Sequence, residues 1–285
     1  MKRGYASTPL GQLHYYEHGR GAPVLMLHET PRSGWSYAPL MRLLGAKFRC
    51  IAVDTPGFGM SDPSPRGATM EDVAAGMVRV LDALGIERAH VVGFHTGNKL
   101  GAVLGADHAK RVGRLVLIGM THSLVVSRKE REKAIMDIVK KYMAKHREHP
   151  DGTHLLRNWA SDFAGISGAW WDPAVMTSGR ITARKLRGQE DRAVEMIRAR
   201  HAIKPLYAMN FGFDFTATMR RIKVPTQVIE CLTPEEARLG PQGAKVMKLL
   251  RHGELLVTLK NAGFDATEAH APAMARAIGR FLARP

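Results

Sequence analysis

The segment Val91-Val92-Gly93-Phe94-His95-Thr96-Gly97-Asn98-Lys99-Leu100-Gly101 decides the fold. Ala89–Val92 is a short apolar run with paired valines that enters Gly93, which predicts a buried strand. Asn98–Asp107 follows with helical spacing. The chain therefore passes from strand to helix through a few residues bounded by Gly93 and Gly97. The same rhythm extends on both sides. Val24–Leu27 and Phe48–Val53 predict strands upstream. Met70–Leu84 predicts a helix from its apolar positions Val73, Met77, Val80, Leu81 and Leu84, with Thr69 as N-cap and acids in the first turn. Arg114–Ile118 predicts the next strand. After a long helical stretch the pattern resumes with strands at Thr226–Glu230 and Glu254–Leu259 and helices at Gln242–Leu250 and Pro272–Leu282.

Strand and helix in alternation predict an α/β fold: a mostly parallel, doubly wound sheet with helices on both faces. Residues 123–221 break the rhythm. They are mostly helical in pattern and offer no convincing buried strand, so a helical cap (lid) at 123–221 is expected between core segments 1–122 and 222–285. Ligands in open parallel sheets bind beyond the carboxyl ends of the strands. The residues to inspect are those that follow each strand: His28-Glu29-Thr30-Pro31, Asp54-Thr55-Pro56, Gly93–Gly97, Met120-Thr121-His122, Glu230-Cys231 and Asn261–His270.

Composition narrows the class. The 285 residues are 45% hydrophobic and 24% charged, which excludes disordered, collagen-like and coiled-coil chains. No stretch approaches 18 apolar residues, so no membrane span is expected. The N-terminal residues lack the apolar core of a secretory signal. Two cysteines, Cys50 and Cys231, cannot build a disulfide scaffold and point to a reducing, cytoplasmic setting. The net charge of +16 raises the question of nucleic acid, but no zinc finger, RNA-recognition signature or basic run with interleaved aromatics accompanies it, and no nucleic-acid partner is expected. Residues 121–222 hold 19 Lys and Arg against 11 Asp and Glu, half of the excess charge. A basic lid suits an anionic small-molecule substrate; its bland counterpart is a solvated basic face.

Four patterns together resemble the α/β-hydrolase superfamily over nearly the whole chain. Leu25–Tyr37 (LMLHETPRSGWSY) is similar to the family's strand, His-Gly-x-Pro loop and Trp. Val53–Asp62 (VDTPGFGMSD) is similar to its Asp-x-Pro-Gly-x-Gly-x-Ser turn. Gly93–Gly97 lies where the nucleophile elbow belongs, and Ala271–Leu282 resembles the last helix. The resemblance implies a cap over the active site, a nucleophile on a tight strand-to-helix turn, and small flanking residues that let backbone and helix approach. It implies a small organic substrate such as an ester, a lactone or a related carbonyl compound, with no cofactor and no metal. A homodimer is compatible with it.

The chain departs from the family where the chemistry should be. His95 stands in the place of the Ser, Cys or Asp nucleophile. Glu230-Cys231-Leu232-Thr233-Pro234-Glu235 replaces the usual acid-bearing stretch, and His122 falls where an alternative acid would follow the preceding strand. Gly263-Phe264-Asp265, with His270 beyond, replaces the catalytic histidine stretch. Glu29 replaces the glycine of the oxyanion loop.

At a helix N-terminus His95 is expected to stay neutral, a competent base or nucleophile near pH 7. The expected arrangement is His95 as general base or nucleophile and Asp265 as its orienting acid, with His270 and Glu230 as further catalytic candidates. Thr96 and Thr30 are expected to supply oxyanion donors. Glu29, His28, His122, Trp35, Trp170 and Trp171 are the remaining candidates around a substrate. Three alternatives stand beside this expectation. One is a lyase or isomerase that uses His95 as a proton shuttle. Another is a catalytically inactive, receptor-like ligand binder. The third is a metal site drawing on His28, His95, His122 and His270, which lack the short spacing of a zinc motif.

Overall fold

The computed structural model describes residues 1–125, 127, 129–130, 133, 136, 149–154, 183–234, 239–263 and 265–284. Eight strands form one sheet: β1 (Lys2–Thr8), β2 (Gly11–His18), β3 (Ala22–Leu27), β4 (Phe48–Val53), β5 (Ala89–Phe94), β6 (Val112–Met120), β7 (Thr226–Leu232) and β8 (Gly253–Lys260). Their order is β1-β2-β4-β3-β5-β6-β7-β8. The pairs β1–β2 and β2–β4 are antiparallel, and every later pair is parallel. The described helices are α1 (Ala38–Leu44), α2 (Met70–Ala83), α3 (Thr96–Asp107), α4 (Thr121–Leu124), α5 (Ala183–Gly212), α6 (Phe215–Arg221), α7 (Gly243–Leu249), α8 (Ala266–Ala269) and α9 (Ala271–Leu282).

The central strands are largely apolar because both of their faces are covered. Leu25, Leu27, Ile51, Val53, Val91, Leu115 and Leu117 point to one side and pack against α2 and α3. Their neighbours Val24, Met26, Cys50, Ala52, Val92, Phe94, Val116 and Ile118 point to the other and pack against α1 and α9. The predicted N-cap of α2 is a full capping box: Asp72 N–H donates to Thr69 Oγ1, and Thr69 N–H donates to the Asp72 carboxylate. Cys50 and Cys231 are buried free thiols, and burial pushes the Cys50 thiol up to about 12.

The N-terminal hairpin and α1 are additions to the sequence expectation. β1 is an edge strand in which Ala6 is the only buried residue, so its apolar alternation is too weak to announce it. β6 and β7 are adjacent and parallel although residues 121–225 separate them in the chain. The described part of that insertion includes α5 and α6 and agrees with its helical pattern. Ala199, Ile203 and Leu206 of α5 pack on Phe58 of the turn after β4. This seats the helix over the carboxyl ends of the strands. Among the described residues no helix is long and apolar enough to cross a membrane.

Candidate active site

His95 is the single residue between β5 and α3, and its backbone sits at φ 53°, ψ −103°. An L-residue meets steric resistance there, a cost of about 1–3 kcal/mol that the surroundings must hold in place. Two glycines allow the turn. A Cβ on Gly93 would overlap the Gly97 carbonyl, and a Cβ on Gly97 would overlap the Leu27 carbonyl of β3. The turn is pinned from β6 as well. His95 N–H donates to Ile118 O at 2.9 Å, and Asn98 Nδ2 donates to the same oxygen at 3.1 Å.

The imidazole stands in a buried chain of four side chains. His95 Nε2 is 2.9 Å from Nε2 of His122, which α4 presents directly after β6. His95 Nδ1 is 3.2 Å from Thr96 Oγ1, and Thr30 Oγ1 donates to Thr96 Oγ1 at 2.8 Å. All four residues are buried. Burial, then the neighbouring His122 and Lys99, hold the His95 pKa well below the ordinary histidine value. The ring is therefore neutral near pH 7, with one N–H and one lone pair to share between His122 and Thr96. The neutrality expected from a helix N-terminus is present, and desolvation is its leading cause.

Glu29 does not face an oxyanion. Its carboxylate is fully buried, accepts from Ser36 Oγ at 3.1 Å, and has an oxygen 4.0 Å from Arg32 Nη1. Burial raises its pKa to about 7, against the pull of Arg32. His28 Nδ1 donates to the Glu29 carbonyl at 2.8 Å, and its Nε2 accepts from Thr55 N–H at 3.0 Å, so both nitrogens organise loops. Asp54 accepts from Gly34 N–H at 2.7 Å, Met60 N–H at 3.0 Å and His14 Nδ1 at 2.8 Å, a brace for the turn that carries Phe58.

The other candidates are placed elsewhere. Asp265 is exposed at the start of α8, and its carboxylate makes no hydrogen bond to His95. The imidazole of His122 meets His95 instead. Glu230 accepts the backbone N–H of Gln242 and so ties β7 to the start of α7. His270 Nε2 bonds the Asn261 carbonyl at 3.0 Å. Trp35 packs beside Tyr16, with ring centroids 5.4 Å apart. Trp170 and Trp171 lie outside the described residues, as does most of the segment around them. Among the described residues no cluster of three or more His, Cys, Asp or Glu side chains is arranged to hold a metal ion.

One group of residues gave no signal in the sequence. Arg32 Nε donates to Glu195 of α5, Arg32 Nη2 reaches Glu268 of α8 at 2.8 Å, and Ser33 Oγ donates to Glu195. Arg192 Nη2 meets the other oxygen of Glu268 at 2.7 Å. Only the fold brings together residues so far apart in the chain.

A cavity of about 650 Å³ opens between the turn after β4 and α5. Thr96 and Thr55 line its inner end, Leu100 and Leu206 give it apolar wall, and Arg66, Arg198 and His201 also line it. His95 and His122 stand behind Thr96 and are not part of the lining.

A family model described as alpha/beta hydrolase fold matches residues 22–189. The 2-hydroxy-6-oxononadienedioate/2-hydroxy-6-oxononatrienedioate hydrolase 2 of Pseudomonas putida is 38% identical over 114 residues, 38% of this chain and 40% of that protein. Haloalkane dehalogenase 2 of Mycobacterium tuberculosis is 32% identical over 108 residues, 38% of each chain. The chain thus spans about 40% of the length of these curated relatives. The crystal structure of a hydrolase from Pseudomonas aeruginosa superposes with a TM-score of 0.70 at 22% identity, over 99% of this chain and 98% of that one, a likeness of fold.

Proposed function

Because the chain belongs to the α/β-hydrolase fold family, we propose that it hydrolyses a small organic substrate, an ester, lactone or related carbonyl compound, with His95 as general base. The observation that carries this reading is the strained, neutral His95 held at 2.9 Å from His122 and 3.2 Å from the Thr96 hydroxyl. Strain of this kind persists where the surroundings over-determine it, as at functional sites. A neutral imidazole with a fixed partner on each nitrogen can take a proton from a hydroxyl and return it to a leaving group. Both nitrogens already have partners, which favours the base over direct attack by the ring.

The cavity beside Thr96 suits a compact substrate. Arg66, Arg198 and His201 in its wall favour one that carries a carboxylate. The named substrate of the Pseudomonas putida relative is a dioate, which agrees with that preference. A ligand-binding role without turnover would need neither a strained elbow nor a neutral imidazole aimed at a hydroxyl.

The test is a panel of aryl esters, lactones and oxo-acids, with and without a carboxylate, run on wild type, His95→Ala and His95→Gln. Removal of the base should lower kcat/KM by ~10²–10⁴-fold with the fold retained. Full turnover in His95→Ala would remove the proposal. Tight binding with no turnover in the wild type would replace it with a receptor role.

A further inference from the structure

We propose that the Thr96 hydroxyl, rather than the elbow residue itself, is the nucleophile of this site and carries a transient acyl group. The inference rests on the reading of His95 as a base. The chain of hydrogen bonds has a direction. Thr30 Oγ1 donates to Thr96 Oγ1 at 2.8 Å, which leaves the proton of Thr96 for the Nδ1 lone pair of His95 at 3.2 Å. The His95 proton then lies on Nε2 and is donated to Nε2 of His122 at 2.9 Å. A hydroxyl, an imidazole base and a third group that fixes the tautomer of the base are the parts of a nucleophilic triad. They occur here one residue beyond the usual place. Of these four side chains only Thr96 lines the 650 Å³ cavity, so its oxygen is the one a substrate meets.

The step balances without an added co-reactant. Thr96 Oγ1 forms a bond to the substrate carbonyl carbon while its proton passes to His95 Nδ1. The carbonyl π pair moves to oxygen, near the N-terminal end of α3. Collapse expels the leaving group, which takes the proton from Nδ1. Water then attacks the acyl-threonine ester, gives its proton to His95 Nδ1, and the proton returns to Thr96 Oγ1 as the acid departs. Thr30 is a positioning residue, since it holds the Thr96 rotamer through its hydrogen bond.

The experiment uses the full chain and an ethyl p-nitrophenyl alkylphosphonate, which phosphonylates an activated hydroxyl irreversibly. The expected result is one equivalent of p-nitrophenol and one adduct, mapped by peptide mass spectrometry to Thr96. Thr96→Ser should retain the adduct at position 96. Thr96→Val, with an unchanged melting curve, should lose the adduct and at least ~10²-fold in turnover of the best ester, by analogy with loss of other essential groups. Absence of an adduct in the wild type, or an adduct on His95, overturns the proposal. Thr96→Val that turns over normally while His95→Ala does not also overturns it, and leaves His95 as the base for a water. Normal turnover in both variants removes the base reading as well.

Discussion

The Nε2 atoms of His95 and His122 stand 2.9 Å apart, an imidazole pair at the place where the fold sets a nucleophile against the end of the neighbouring strand. His122 orients the ring of His95 and fixes its tautomer. An imidazole carries no negative charge, so it offers little compensation when His95 takes up a proton. A carboxylate would add that compensation and would raise the basicity of His95. The expected pH profile of the wild type follows: kcat/KM rises with pH through a pKa well below 6.5 and is level at neutral pH, because the neutral form is the active one.

Replacement of His122 separates orientation from charge. His122→Ala should lower kcat by ~10-fold or more with a smaller change in KM, since the base loses its tautomer lock rather than the substrate its pocket. His122→Glu should move the acid limb of the kcat/KM profile to higher pH, because a carboxylate favours imidazolium. An acid limb that stays in place in His122→Glu would show that the two side chains are not coupled.

Glu29 and His95 make opposite contributions to stability against pH. The Glu29 carboxyl goes from 4.5 to about 7 on folding. Between those values the folded chain holds a proton that the unfolded chain has lost, so stability falls as pH rises from about 4.5 to 7. The cost above pH 7 is at most about 3 kcal/mol at 1.36 kcal/mol per unit. Glu29→Gln should therefore stabilise the protein at pH 8 and be near neutral at pH 4.5, by denaturant titration at the two pH values. For His95 the folded pKa is depressed, and the unfolded chain binds the proton first on acidification. Its contribution is lost as pH falls from about 6.5 toward the folded value. His95→Gln should flatten the acid limb of the Tm–pH curve, an outcome independent of any catalytic role.

Gly97 tests the elbow as a packing device. Its missing Cβ is the space into which the Leu27 carbonyl of β3 fits, with both partners backbone and neither able to rotate away. Gly97→Ala must push α3 off the sheet and should cost several kcal/mol, on the order of other overpacking substitutions or more. Gly85→Ala is the control, because a Cβ there meets nothing within 4 Å, although its φ of 66° carries its own strain. A melting temperature for Gly97→Ala equal to that of the control would contradict the close approach.

The sheet was legible in the sequence because its central strands are buried on both faces and carry apolar runs such as Val24–Leu27 and Cys50–Val53. The edge strand Lys2–Thr8 was not, since one buried alanine makes no pattern. At the site, the glycines around His95 identified the turn because backbone contact leaves no alternative. The partner of His95 was harder. Asp265 follows the expected place along the chain, yet its side chain is exposed at the start of a short helix, while His122 arrives through the sheet register of β5 and β6. Spacing along a chain records local geometry. It does not record which of several loop residues turns inward.

The buried contacts of Arg32 show the same limit and allow a last prediction. Its guanidinium lies between Glu195 of α5 and Glu268 of α8, with Glu29 at 4.0 Å, and is itself nearly excluded from solvent. The group joins the loop that bears Thr30 to the helix that roofs the cavity. Removal of the cation alone leaves the Glu195 carboxylate buried without a cation, which costs about 3–5 kcal/mol at buried pairs. Removal of Arg32 and Glu195 together, each replaced by Met, takes away the charge and its partner and should recover part of that loss. Arg32→Met, Glu195→Met and the double variant form a cycle in which the coupling energy is read from urea unfolding. A strongly negative interaction term is expected, with Glu268 still held by Arg192 at 2.7 Å. Additive losses in the double variant would mean that Arg32 and Glu195 act separately and that the roof is held without their pairing, by the packing on Phe58 and the Arg192–Glu268 pair.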